Sequence, residues 1–105
     1  MPNWFPGGEL NWVDTVLGWG RDPVRRAAPA VIAEREDGGV RAATWAELET
    51  RVLGFAAGLR ALGLARGDRI GLLMEGGIEA VVSFMGISAL GAVCVPLFSG
   101  FGVVA

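Results

Sequence analysis

The chain has 105 residues, 52% hydrophobic and 19% charged, with a formal net charge of −2. That length holds one core and no second domain; the composition is too apolar for disorder, and the charge leaves no broad basic surface for nucleic acid or anionic lipid. There is no His, no Lys and a single Cys, which excludes histidine catalysis, a Schiff-base or Walker-loop lysine, an internal disulfide and a cysteine zinc site within this stretch.

Residues 1–12 read as an extended arm, because Pro2, Pro6, Gly7 and Gly8 block a helix while Trp4, Phe5, Leu10 and Trp12 supply apolar side chains suited to docking. The arm has neither the basic region nor the apolar run of a leader peptide. With one Cys, the expected setting is a reducing cytoplasm. Asn11 is a helix N-cap for residues 12–18, with Asp14 favourable in the first turn. Residues 19–29 form a loop broken by Gly20, Pro23 and Pro29. Its Arg21, Arg25 and Arg26 read as a solvated loop face rather than a phosphate site. Residues 30–36 and 40–43 are two strands of a β-hairpin turning at Asp37-Gly38-Gly39.

The next helix is the clearest element. Thr44 and Glu47 form a capping box. Trp45, Leu48, Val52, Phe55, Leu59 and Leu62 make one apolar stripe, and Glu47 and Arg51 stand four apart on the polar side. Gly63 stops the helix. Gly54 and Gly58 lie inside it, where small residues permit close approach of a neighbouring backbone. Residues 69–74 read as a buried strand, 78–90 as a helix stopped by Gly91, and 92–96 as a second buried strand with Pro96 at its end. Two apolar strands joined by such a helix form a right-handed, parallel βαβ unit.

Residues 80–105 carry no charge and are long enough to cross a bilayer. Gly86, Gly91, Pro96, Gly100 and Gly102 punctuate the run, and no Lys or Arg follows it, so a helix followed by a strand is expected there. The chain ends on apolar residues, and a hairpin plus one βαβ unit leaves sheet faces uncovered. The expectation is a piece of a larger domain, open to self-association through those faces.

Chemistry-bearing patterns are sparse. Gly71 and Gly76-Gly77 have Walker-like spacing but lack the Lys and hydroxyl that must follow. The N-terminus of the 78–90 helix favours an anion, yet Glu75 and Glu79 already stand there. Cys94 reads as an inert core thiol. Leu97-Phe98-Ser99-Gly100-Phe101-Gly102 follows a parallel strand, at the sheet edge where α/β proteins place ligands.

Five segments in order resemble one family. They are Trp4-Phe5-Pro6-Gly7-Gly8-Glu9-Leu10-Asn11, Thr44-Trp45-Ala46-Glu47-Leu48, Gly63-Leu64-Ala65-Arg66-Gly67-Asp68-Arg69-Ile70, Gly91-Ala92-Val93 and Phe98-Ser99-Gly100-Phe101. Together they are similar to the AMP-forming acyl-CoA synthetases of the acetyl- and acetoacetyl-CoA synthetase kind, within the adenylate-forming enzymes. The resemblance covers nearly the whole chain. It implies an α/β fold: an arm and short helix over 1–29, then over 30–105 the first part of the large N-terminal domain.

It also implies an ATP-dependent ligase that activates a short or medium carboxylic acid as acyl-AMP and passes it to CoA, with ATP and CoA as substrates and Mg assisting the complete enzyme. Gly100 is the one position it marks as a contact, to the pantetheine of CoA. The family's phosphate loop, acidic nucleotide motifs and catalytic lysine have no counterpart in these 105 residues, so the stretch alone is expected to be inactive and to hold no cofactor. Where relatives often carry Pro-Asn, this chain has Glu75-Gly76-Gly77. The competing reading is a small non-catalytic α/β module that binds a protein partner.

Overall fold

The computed structural model describes residues 11–97. The arm up to Leu10 and the expected contact region at Phe98, Ser99, Gly100, Phe101 and Gly102 lie outside the described residues. In chain order the elements are α1 (Trp12–Trp19), β1 (Pro29–Glu34), β2 (Val40–Thr44), α2 (Trp45–Ala61), β3 (Arg69–Leu73), α3 (Ile78–Ala89) and β4 (Val93–Leu97). This is the expected α/β order.

Four of the helix ends have a clear chemical cause. Asn11 Oδ1 accepts the Val13 N–H at 2.9 Å and starts α1. At α2, Thr44 Oγ1 accepts the Glu47 N–H at 3.1 Å while Glu47 Oε1 accepts the Thr44 N–H at 3.0 Å. That completes the capping box and engages the Glu47 carboxylate, holding it below its usual range. The α2 C-terminus is a Schellman motif: the Leu64 N–H donates to Leu59 C=O and the Gly63 N–H to Arg60 C=O, at 3.1 and 2.9 Å. The same motif closes α3, from Ala92 to Ile87 and Gly91 to Ser88, at 3.2 and 3.0 Å.

β1 and β2 pair antiparallel, with an irregularity between Pro29 and Val31. The turn runs over 35–39, wider than the sequence suggests, because Arg35 and Gly39 bond through their backbones at 2.7 Å and Asp37 Oδ1 accepts the Gly39 N–H at 2.8 Å. β3 and β4 pair in parallel with α3 as the crossover, and Leu73 stands opposite Leu97. Both strands therefore end level.

The core is mainly helical. Val13 and Leu17 of α1, Leu48 and Val52 of α2, and Ile78, Val82 and Met85 of α3 form one buried cluster, joined by Ala43 of β2. At roughly 1.5–3 kcal/mol for each fully buried large aliphatic side chain, this cluster outweighs what either two-stranded sheet can contribute. α2 and α3 meet most closely at Gly86, where an added Cβ would lie 2.5 Å from Phe55 Cδ1.

Three expectations change. Gly54 and Gly58 face open space, so the close helix approach uses a glycine of α3 instead. The α2 stripe ends early: Leu62 is 80% exposed because the last turn projects past its packing partners. The strands read as buried are buried on one side only. Ile70, Leu72 and Cys94 are half-buried, while Leu73, Val93, Val95 and Leu97 are exposed. One crossover helix can cover one face of a parallel pair and leaves the other open. Among the described residues no helix is long and apolar enough to cross a membrane.

Candidate functional site

The carboxyl edge of the parallel pair is where an open α/β sheet places its ligands. Here β3 passes into Met74-Glu75-Gly76-Gly77 and then α3. Gly77 has φ +145°, a conformation that side-chain-bearing residues rarely adopt, so the turn into α3 depends on glycine. The hairpin folds over this turn and leaves an open groove of ≈ 1240 Å³. Ile32 and Met74 give it apolar wall, and Glu34, Glu36, Asp37, Glu75 and Glu79 face Arg35 and Arg41 across it.

Glu79 organises the charged side of the groove. Glu79 stands in the first turn of α3, where its own backbone N–H and the positive end of the helix favour the ionised carboxylate. Arg41 Nη2 of β2 stands 2.9 Å from Glu79 Oε1, and Arg51 Nη2 of α2 stands 3.9 Å from the same oxygen. These bonds hold the Glu79 carboxyl below the usual carboxylate range. Arg51 thus leans toward α3, and its expected partner Glu47 serves the capping box.

The electrostatics decide what this edge can bind. Five carboxylates against two guanidiniums repel a polyphosphate, and Glu79 already sets a negative charge in the first turn of α3. The other cationic cluster is also engaged: Arg21 bonds Glu49, Arg26 lies 3.9 Å from Glu49, and Arg25 stacks on Trp19 with its guanidinium 3.6 Å from the ring centre. It is no phosphate site.

Among the described residues no nucleophile is poised for attack. Burial pushes the Cys94 thiol up, so its thiolate fraction is small. Ser83 Oγ donates to the Glu79 carbonyl at 2.7 Å and lies beside Met74 Sδ. Among the described residues no three His, Cys, Asp or Glu side chains cluster to hold a metal ion.

Glu75 and Glu79 line the groove and Cys94 is half-buried on β4; sequence reasoning missed the Arg41–Glu79 pair. Those residues are 38 positions apart in sequence, and only the fold brings β2 to α3. It also missed the second role of Asn11, whose Nδ2 donates to the Ser88 and Ala89 carbonyls at 2.9 and 3.2 Å. An Asn at an N-cap where Ser, Thr or Asp would serve equally is a faint signal for such a use.

Comparison with known proteins gives a consistent set of likenesses. Residues 21–103 match the family model described as AMP-binding enzyme. The chain is 41% identical over 102 residues to the acetyl-coenzyme A synthetase of Thiobacillus denitrificans, covering 93% of this chain and 15% of that protein. It is 40% identical over 98 residues to the acetyl-coenzyme A synthetase of Ralstonia nicotianae, with the same coverage. The solved acetoacetyl-CoA synthetase from Streptomyces lividans superposes with a TM-score of 0.87 at 35% identity, over 97% of this chain and 16% of that one. The chain therefore spans about 15% of the length of the curated relatives it matches.

Proposed function

The chain belongs to the AMP-binding enzyme family, and from that premise we propose that it is the opening α/β portion of an ATP-dependent, AMP-forming acid–CoA ligase. In that reaction a carboxylate oxygen attacks the α-phosphorus of ATP and pyrophosphate leaves. The CoA thiol then attacks the acyl carbonyl, releases AMP and forms the thioester. The substrate is a short or medium carboxylic acid, and Mg accompanies ATP. The observation that carries this reading is the collinear likeness to two acetyl-coenzyme A synthetases over 93% of the chain.

The role of these residues is structural. They set the first parallel strands and their level carboxyl edge, and they leave triphosphate binding to other residues, since a transition state rich in phosphate charge needs preorganised cations and this edge is acidic. Residues 1–29 serve as arm and short helix, and 30–105 as the start of the AMP-binding domain. Gly100 lies beside the pantetheine of CoA in this proposal, where the lack of a side chain admits the ligand close to the backbone. The lone thiol Cys94 supports a cytoplasmic setting.

The test is carboxylate-dependent pyrophosphate–ATP exchange. The 105-residue chain alone gives none. The same chain joined to the remainder of an acetyl-coenzyme A synthetase from a relative gives exchange and acyl-CoA. Exchange by the short chain, or none by the joined protein when its parent is active, refutes the reading.

One further feature bears on the short chain in isolation. Leu73, Val93, Val95 and Leu97 present an open apolar sheet face, which supports self-association of the chain on its own. A mass independent of concentration in sedimentation equilibrium counts against it.

A further inference from the structure

Two methionines lie among the described residues, and their surroundings differ sharply. Met85 is a core residue of α3, 5% exposed. Met74, one position past β3, is 41% exposed and forms part of the wall of the groove under the hairpin. A thioether reacts with oxidants at its sulfur, so access to the sulfur decides which methionine is oxidised. The groove gives that access at Met74, and the core denies it at Met85.

The Met74 sulfur is also covered unevenly. Ser83 Oγ lies 3.4 Å from Sδ. Ser83 is 5% exposed, the one buried polar side chain among the described residues. Its hydroxyl is fixed in place, since Oγ donates to the Glu79 carbonyl one turn back along α3 at 2.7 Å. With its proton committed there, the hydroxyl sits against one side of the sulfur and keeps an approaching molecule off that side. The groove is lined by Met74 and not by Ser83, so it opens on the other side. A sulfoxide sulfur is a stereocentre, and attack from one side yields one epimer.

We infer that Met74 is a stereoselective oxidation site for small hydroperoxides, entered from the groove and backed by Ser83. A sulfur lone pair attacks one oxygen of hydrogen peroxide and the O–O bond breaks. A proton passes to the departing hydroxide, leaving sulfoxide and water. The sulfur loses two electrons and the peroxide gains them. The apolar wall that Met74 shares with Ile32 becomes polar at that point, and a sulfoxide reductase specific for the epimer reverses the change. The inference stands apart from the ligase reading, since neither ATP nor CoA enters it.

The test is brief hydrogen peroxide treatment of the folded 105-residue chain, in a Cys94→Ser background that leaves methionine as its only source of sulfur. Trypsin and glutamyl endopeptidase cut after Arg69, Glu75 and Glu79 and place Met74 and Met85 in separate peptides for mass spectrometry. Met74 should oxidise about fivefold faster than Met85 or more, following their exposures, and guanidinium chloride should bring the two rates together. Treating the oxidised Met74 peptide with the two epimer-specific sulfoxide reductases should show one epimer in roughly threefold excess or more. Ser83→Ala should bring that ratio toward one, and oxidation of the unsubstituted chain in guanidinium chloride should do the same. Equal rates at the two methionines in the folded chain overturn the inference. So does an even mixture of epimers, or an excess that survives both Ser83→Ala and denaturation.

Discussion

Replacing Gly86 by Ala is expected to destabilise the fold, while the same replacement at Gly54 or Gly58 stabilises it. All three glycines are helical, and Ala is favoured over Gly in a helix by roughly 1 kcal/mol. Space decides the sign. Around Gly54 and Gly58 nothing lies within 4 Å of an added Cβ, so the helical gain of roughly 0.5–1 kcal/mol is kept whole. At Gly86 the added carbon would meet Phe55 Cδ1 at 2.5 Å and Phe55 Cβ and Cγ at 3.1 Å. The ring edge can rotate away, but Phe55 Cβ is fixed to the α2 backbone. Carbon atoms settle at about 3.5–4.0 Å, so α2 and α3 must part by about half an ångström along their main contact. Overpacking of this kind costs about 1–3 kcal/mol, which the helical gain only partly offsets.

The net expectation is a loss of about 1 kcal/mol at Gly86 against a gain at the other two positions. Urea unfolding followed by far-UV circular dichroism measures it as a shift in midpoint at constant slope. In a double-mutant cycle, Phe55→Leu should recover part of the loss in the Gly86→Ala background and show a coupling the Gly54 variant lacks. A Gly86→Ala chain as stabilised as Gly54→Ala would refute the packing argument.

Asn11→Asp should destabilise although Asp is an equally good N-cap. The carboxylate keeps the Val13 bond, loses both donations to the Ser88 and Ala89 carbonyls and sets a negative charge against a helix C-terminus; thermal unfolding at least as early as for Asn11→Ala is the expected result. Because the Glu79 carboxyl is lowered from 4.5, the ionised form is favoured in the folded state. Its stabilisation is full above the unfolded value and is lost as pH falls through the folded one. Glu79→Gln should therefore flatten the stability–pH curve below about pH 5, read by urea midpoints across the acid range. Burial raises the Cys94 thiol, so alkylation by iodoacetamide at neutral pH should be slower in the folded chain than in guanidinium chloride, and equal rates would deny the protection.

The sequence displayed its local chemistry well and its long-range chemistry poorly. The Thr44–Glu47 box, the Gly63 and Gly91 stops and the β3–α3–β4 order follow from neighbours within a few positions, where propensity and capping act directly. The mistaken role for Gly54 and Gly58 has the opposite cause: a glycine in a helix shows that a side chain is missing, and only the crossing of α2 with α3 shows which glycine has a neighbour. The strands were read as buried because apolar runs mark parallel strands, a rule that assumes both faces are covered. At the site, the lack of Lys and His told plainly what this stretch leaves out. The Arg41–Glu79 pair required the hairpin to be placed over α3, which no periodicity reports.

The Asn11 bonds to Ser88 and Ala89 span 77 and 78 residues, and this separation has a consequence during synthesis. α1 is made first, yet its partner helix emerges last among the core elements. At about 5–20 residues per second of translation, the interval is about 4–15 s. Throughout it, Val13, Val16 and Leu17 have no α3 to cover them. Closing so long a loop is entropically slow compared with zipping up the hairpin or α2. The nascent chain thus carries α1 as an unsheltered apolar helix until Ala89 arrives, which makes α1 the segment a chaperone would be expected to hold.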